Sequence, residues 1–259
     1  MKNKKTELLK TLAFTLLSFA AIGLLWVVVS ANNPDFLPSP ATCFERLLRM
    51  IERPISKVTL FGHIMSSLQR VLIAVGISIL IGVPTGLAMG WSKKAKALIG
   101  PIFEFLRPIP PIAWIPLVIL WFGVGEMSKV FLVTIGAIIP IIMNTFTGVK
   151  LVNPIFISVG RVYKASNVQI LKEIVMPAAT PAIFAGIKTA VSSGWMIVLA
   201  AEMMASKSGV GFLITRGMES YDVAMIICCM LIIGLVGYLI AICLAFLERW
   251  LCPWKTSQE

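Results

Sequence analysis

A chain of 259 residues that is 58% hydrophobic and only 14% charged departs from soluble domains, where roughly 25% of residues are charged. The composition is that of an all-α, polytopic membrane protein. A formal charge of +11 would point to nucleic acid in a soluble chain. Beside long apolar runs it is explained by basic loops flanking membrane spans, and no nucleic-acid partner is implied.

Residues 1–10 form a basic tail with Lys2, Lys4, Lys5 and Lys10. Residues 11–30 are then apolar, and about 20 such residues cross ~30 Å of hydrocarbon at ~1.5 Å per residue. Val29-Ser30-Ala31 resembles a signal cleavage site, but the run exceeds the ~7–15 residues of a signal core, which favours an uncleaved anchor. Residues 31–67 read as an external segment. Pro34, Pro38 and Pro40 break it early, and Phe44, Leu47, Leu48 and Ile51 then recur as in a short amphipathic helix. Arg46, Arg49, Arg53 and Lys57 count against an external placement, less so in a long loop. His63 is the only histidine and has no carboxylate cluster with which to hold a metal.

Residues 68–247 form the transmembrane core, beginning with a second span over Leu68–Trp91 that carries Gly76, Gly82, Gly86 and Gly90. Small residues let helices approach closely in a bilayer. Lys93, Lys94 and Lys96 mark a short cytoplasmic loop. The third span, Ala97–Phe122, holds Pro101, Pro108, Pro110, Pro111 and Pro116 with Glu104 and Arg107. So many prolines require a broken helix, which is tolerated at membrane depth only inside protein or beside a water-filled cavity. Arg107 either pairs with Glu104 one helical turn away or faces an anionic solute. Gly123–Ser128 reads as an external turn and Lys129–Val149 as the fourth span. Ala182–Met203 is the fifth, with Trp195 and Glu202. Ala205–Asp222 is a Gly-rich polar stretch, Val223–Leu247 the sixth span, and residues 248–259 a polar tail.

The interval Asn153–Pro181 is polar-bearing yet patterned as structure. Asn153-Pro154 is a helix start, a capping side chain followed by a ring that fixes φ. Phe156, Val159 and Val162/Tyr163 recur at helical spacing. The pattern breaks near Lys164-Ala165. Ser166 with Gln169 has capping-box spacing, Val168, Leu171 and Val175 line one face, and Met176-Pro177 stops the helix. The reading is two short amphipathic helices joined by a turn, with Arg161, Lys164, Lys172 and Glu173 on the wet side. A plain solvated connector is the alternative. Counting Lys and Arg, the positive-inside rule places both termini and this interval in the cytoplasm.

Catalytic signatures are lacking. The sequence holds no G-x-x-x-x-G-K-[ST], H-E-x-x-H or G-x-S-x-G. Its five cysteines, Cys43, Cys228, Cys229, Cys243 and Cys252, form no C-x-x-C pair. An enzyme is therefore not expected, nor a cofactor or metal bound by this chain. With Glu104 and Glu202 read as the intramembrane acids, an ion-driven carrier is disfavoured, and a stand-alone channel or carrier remains the rival class.

Lys164-Ala165-Ser166, then Val175-Met176-Pro177-Ala178-Ala179-Thr180-Pro181 and Gly186, resemble the cytoplasmic signature of type I bacterial ABC importer permeases. Two positions depart from that pattern: the family's leading Glu falls at Ser158 and its usual Gly at Lys164. Leu106-Arg107-Pro108-Ile109-Pro110-Pro111-Ile112-Ala113-Trp114-Ile115-Pro116-Leu117, Trp121-Phe122-Gly123-Val124-Gly125-Glu126, Ser128-Lys129, Gly194-Trp195, Ala200-Ala201-Glu202-Met203, Gly209-Val210-Gly211 and Pro253-Trp254 are similar to the taurine, alkanesulfonate and nitrate group, with pyrimidine-precursor importers also similar. The resemblance implies the six-helix permease fold and a pathway half that pairs with a second copy of itself. It also implies two cytosolic ATPase subunits that bind ATP-Mg, an external solute-binding protein, and a multi-pass place in the inner membrane. The ATPase-coupling residues it implies are Arg161, Tyr163, Lys164, Ala165, Ser166, Gln169, Leu171 and Pro177. Arg107, Pro108, Pro110, Trp114, Trp195 and Glu202 are the candidates for the translocation pathway.

Overall fold

The computed structural model describes residues 2–34 and 36–251. The end of the polar tail, with Cys252, Pro253-Trp254 and Lys255, lies outside the described residues. Within them the chain is helical, with one isolated bridge between Ile55 and Val58. Two compact units divide it: residues 1–60 with 213–232, and residues 61–212 with 233–259.

In the first unit, α1 (Lys2–Asn32) is one uninterrupted helix rather than a tail followed by a span. Phe14, Leu17, Phe19 and Leu24 stand exposed along it, as a lipid-facing helix requires. The Trp26 indole donates to the Pro38 carbonyl at 3.0 Å. Ser39 caps α2 (Pro40–Glu52), accepting from the Thr42 N–H at 3.2 Å. Its apolar stripe of Phe44, Leu48 and Ile51 faces outward, while Cys43 and Met50 are buried. Burial, with Asp222 nearby, pushes the Cys43 thiol pKa up. Arg46 reaches Asp222 at 2.6 Å, and Asp222 also accepts from the Met225 N–H at 2.9 Å, capping α11 (Val223–Leu251). Among the described residues Cys43, Cys228, Cys229 and Cys243 are free thiols.

The second unit is built on three long helices. The first, α3 (Leu60–Trp91), starts eight residues before the expected span because Leu60–Ser67 continue its helical register, and His63 lies inside it. It runs parallel to α6 (Glu126–Lys150) through three glycines. A Cβ on Gly82 would meet Ile141 at 2.9 Å, one on Gly86 would meet Thr145 at 2.6 Å, and one on Gly90 would meet Val149 at 2.6 Å. The steps of four on both helices bring the backbones into contact. Gly76 meets nothing within 4 Å and has no such role. Helix α6 begins at Glu126, so only Gly123–Gly125 remain of the expected turn. The third helix, α9 (Met176–Ala205), packs antiparallel on α6: a Cβ on Gly186 would meet Asn144 at 2.8 Å and one on Gly148 would meet Ala182 at 2.6 Å.

The proline-rich stretch is broken rather than one straight helix, as its prolines require. Helices α4 (Lys93–Leu106) and α5 (Ile115–Phe122), with a 3-10 turn at Pro111–Trp114 between them, meet at 87°. Pro108, Pro110 and Pro111 remove the donors that would carry a helix through. Among the described residues five helices are long and apolar enough to cross a membrane, or six with this bent pair as one.

Met176-Pro177 does not stop a helix, against expectation. The chain passes from α7 (Pro154–Val162) through α8 (Asn167–Gln169) into a π-helical segment, Ile170–Val175, and straight on into α9. The Met176 N–H bonds to the Leu171 carbonyl five residues back, and the wider turn accepts a proline next in line. The fifth span thus belongs to a continuous rod over Asn167–Met204. Nor is the Gly-rich stretch Ala205–Asp222 all loop, since α10 (Val210–Glu219) occupies most of it. In the second unit Trp195 on α9 donates to the Ile233 carbonyl at 3.3 Å, and Lys188 pairs with Glu248 at 2.7 Å.

Candidate functional site

Two clusters stand at opposite ends of α6. At its first turn lies a set of four charges, of which Arg70, Lys129 and Glu202 are buried and Glu126 is partly exposed. Arg70, from α3, uses all five guanidinium donors. Nε and Nη2 fork onto Glu126 at 2.6 and 2.8 Å. Nη1 donates to Glu202 and to the Ser208 carbonyl, the latter at 2.9 Å, and Nη2 donates also to Ser208 Oγ at 2.8 Å. Lys129 reaches Glu126 at 2.9 Å. Glu202 accepts from Ser67 Oγ at 2.9 Å and from the Gly211 N–H at 3.0 Å. Ser67 Oγ accepts from the Val210 N–H at 3.0 Å, and His63 Nδ1 from the Gly209 N–H at 3.1 Å. The Arg70, Glu202 and Lys129 side chains are 4%, 0% and 6% exposed.

Two cations balance two carboxylates, and every carboxylate oxygen accepts at least one hydrogen bond. Such a set is a clamp rather than a reaction centre: it ties α3, α6 and α9 to the loop at 206–209. Gly209 is obligatory there. Its φ is +113° and a Cβ would overlap the Glu202 carboxylate. Buried charges persist when paired and hydrogen-bonded like this.

At the other end of α6 stands the segment 153–177. The Asn153 side chain accepts from the Ile155 N–H at 3.0 Å, starting α7. Its end is a complete Schellman motif: the Ala165 N–H bonds to the Gly160 carbonyl at 3.0 Å and the Lys164 N–H to the Arg161 carbonyl at 2.9 Å. The left-handed residue this requires is Lys164, at φ +56°, where glycine is the usual occupant. Ser166 and Gln169 form both halves of a capping box, at 3.3 and 2.8 Å. Gly160 lets α7 lie on the π segment, with Ile174 at 2.9 Å from its missing Cβ. Val149, Val152, Ile170, Val175 and Ala179 form the core below, with Ala165 and Leu171 packed against it.

The outer face is apolar and uncovered. Ile155, Phe156, Val159, Val162, Tyr163 and Val168 are all exposed, Val162 and Tyr163 by 80% and 82%. Arg161, Pro177 and Lys164 are exposed beside them. The apolar stripe of Phe156, Val159, Val162 and Tyr163 thus faces away from the chain.

The residues expected on a pathway are not gathered in one place. Arg107 closes α4, half-exposed, 3.8 Å from Glu104. Pro108 and Pro110 shape the break. Trp114 ends the 3-10 turn against the cluster of Ile115, Val118, Leu132 and Ala201, and its buried indole N–H has no acceptor among the described residues. Trp195 and Glu202 are buried in α9. The sequence assigns no role to Arg70, and it marks Glu126 and Lys129 only as parts of the family resemblance. The available signal was a lone arginine in the apolar run of α3, since intramembrane charges are functional candidates by default. Among the described residues no group of three His, Cys, Asp or Glu side chains is placed to hold a metal ion.

Several long apolar helices, a bent proline-rich pair and a helical elbow ahead of the longest rod make this a multi-span membrane protein. Residues 78–257 match the family model for the binding-protein-dependent transport system inner membrane component, and the chain belongs to that family. It is 33% identical to the taurine transport system permease protein TauC of Escherichia coli (strain K12), covering 88% of this chain and 84% of that one. It is likewise 33% identical to the bicarbonate transport system permease protein CmpB of Synechococcus elongatus, over 88% and 85%. With the nitrate import permease protein NrtB of Synechocystis sp. it shares 32% identity over 91% and 88%. Inward-facing MetNI, a methionine ABC transporter, has the same fold at TM-score 0.67 and 17% identity, over 74% of this chain and 95% of that chain. The chain is a multi-pass inner-membrane ABC importer permease, a transport part rather than an enzyme.

Proposed function

We propose that two copies of this chain form the pathway of an ATP-driven importer for a small solute that bears an oxyanion group, with a sulfonate such as taurine, nitrate or bicarbonate as the solute class. Both termini and the 153–177 elbow are cytoplasmic in this reading. An external binding protein delivers the solute, and two cytosolic subunits hold ATP-Mg. The observation that carries it is the exposed apolar face of α7 and its turn. An amphipathic helix left uncovered at a membrane protein's cytoplasmic end is suited to a groove on a soluble partner. Because α7 packs through Gly160 on the π segment, and α8 and that segment continue into α9 as one rod, a push on α7 is transmitted along α9 to Glu202 and the clamp. ATP-driven closure of the partners then biases which face of the pathway is open. The relatives' names favour an oxyanion or sulfonate over a cation, and the unpartnered Trp114 N–H and the exposed Arg107 are donors suited to one.

The test is reconstitution with the ATPase and binding protein in proteoliposomes, following uptake of labelled taurine, nitrate and bicarbonate. Val162→Asp with Tyr163→Asp is expected to weaken co-purification of the ATPase at least tenfold and abolish uptake. Full uptake by that variant would overturn the coupling assignment, and uptake of none of these solutes would overturn the solute class. Ala165 and Leu171 are poorer probes, because charges there also disrupt the core beneath.

A further inference from the structure

A cleft of about 650 Å³ opens where the end of α3, the start of α4 and the end of α6 meet. Lys93, Lys96 and Lys150 line it, over an apolar floor that includes Met89, Met143 and Phe146. Among the described residues none of these lysines forms an ion pair with a carboxylate. Lys96 Nζ instead stands 5.4 Å above the Phe146 ring, an arrangement that holds the cation in place. The one acidic lining group, Glu104, is drawn towards Arg107 at 3.8 Å.

Helix α4 presents two adjacent stripes. Ala97, Pro101 and Glu104 line the cleft. One residue on, Leu98, Ile102 and Phe105 are exposed by 74%, 61% and 76%, an apolar face continuous with the cleft and at the spacing of one helix side. Basic residues at the head and exposed apolar side chains along one face mark a helix lying at a bilayer surface.

We propose that the cleft binds the phosphate headgroup of an anionic phospholipid, with the lysines on the phosphate and the acyl chains along Leu98, Ile102 and Phe105. A free oxyanion shares the phosphate chemistry, but it would leave the apolar stripe uncovered. The site adjoins Lys150, which ends α6 three residues before the elbow begins. A bound lipid would therefore brace the base of the elbow from the bilayer side.

The full chain, purified in detergent, is titrated with phosphatidylglycerol and separately with phosphatidylcholine, with bound lipid read by native mass spectrometry. Phosphatidylglycerol is expected to bind preferentially. Replacing Lys93, Lys96 and Lys150 by Gln is expected to weaken it roughly 100-fold, at about fivefold per surface lysine. Replacing all three by Arg should retain it, and a helical circular dichroism spectrum identical to wild type shows that each variant is folded. Equal loss on replacing Lys94, Lys164 and Lys172, which lie outside the cleft, would overturn the site in favour of diffuse surface charge. Unchanged binding by the Gln variant would overturn it as well. In the third arm, millimolar inorganic phosphate is added to the phosphatidylglycerol complex. Retention of the lipid supports the proposal, and complete displacement would make the site one for a free anion instead.

Discussion

The two ends of α6 solve opposite problems. At Glu126 the chain brings four charged groups together and satisfies them internally: Arg70 has no donor left over, and Glu202 is sealed from solvent. At Lys150 and beyond it does the reverse, spending good local structure, capped and closed at both ends, on holding an apolar face out into the open. A closed polar end and an open apolar end on one rigid rod teach where a partner is needed. The clamp requires none. The elbow leaves apolar surface uncovered that only another molecule can bury. Between the two, Pro177 sits in the first turn of α9, where the π segment before it carries the helix through without a break.

The sharpest way to break this contrast is at the clamp. Glu202→Ala leaves Arg70 half-paired and the Gly211 N–H without its carboxylate acceptor. Removing one partner of a buried ion pair costs about 3–5 kcal/mol. The measurement is unfolding in mixed micelles, and a loss below about 1 kcal/mol would mean that the clamp is open to water. Val162→Asp with Tyr163→Asp is the counterpart at the elbow. Both side chains are exposed, so stability should change by no more than about 0.5 kcal/mol while partner association collapses. Exchanged outcomes, an indifferent clamp and a destabilised elbow, would reverse the assignment of the two ends.

Next in size is Gly209→Ala. A non-glycine residue at φ +113° is strained, and its Cβ would press on the Glu202 carboxylate. About 2–3 kcal/mol of destabilisation is expected, with His63 and Ser67 losing their backbone donors as the loop shifts.

These residues also show what a sequence makes visible. Asn153-Pro154 and Ser166 with Gln169 were readable because capping is local: the hydrogen bonds span two or three residues. The glycines of α3 were readable as contact points, though which of them make contact was not, since Gly76 has the same chemistry as Gly86 and no neighbour. The clamp was not readable. Arg70 meets Glu126 and Glu202 across 56 and 132 residues, and no periodicity links them. The π segment was hidden for a different reason. A proline after a capped turn is ordinarily a stop, and only the tertiary demand for a continuous rod, with Ile170 and Val175 buried on the same core, turns it into a passage. Likewise Phe156 and Val159 have the spacing of a core-facing stripe, and periodicity does not reveal whether the core they face is their own.

Smaller effects sharpen the elbow. Ser166→Ala removes one half of the capping box and should cost about 1 kcal/mol. Because α8 leads directly into the π segment, the loss should appear as faster amide exchange over Asn167–Val175 and not in α7. Uniform acceleration along both helices would mean that they unfold as one unit.

Lys164→Gly is the smallest change and its sign is the informative part. A left-handed residue with a side chain is disfavoured by about 1–2 kcal/mol, and glycine removes that strain at the C′ position of the Schellman motif. Glycine also loosens the unfolded chain, which offsets about 0.4–1 kcal/mol. The net expectation is a stabilisation of about 0.5 kcal/mol, with the hydrogen bonds from Lys164 and Ala165 kept, since both come from the backbone. If the elbow needs only its shape, transport by this variant should equal or exceed that of the parent. If stability rises and transport falls, the Lys164 side chain itself contacts the partner, and the open end carries charge as well as apolar surface to its dock.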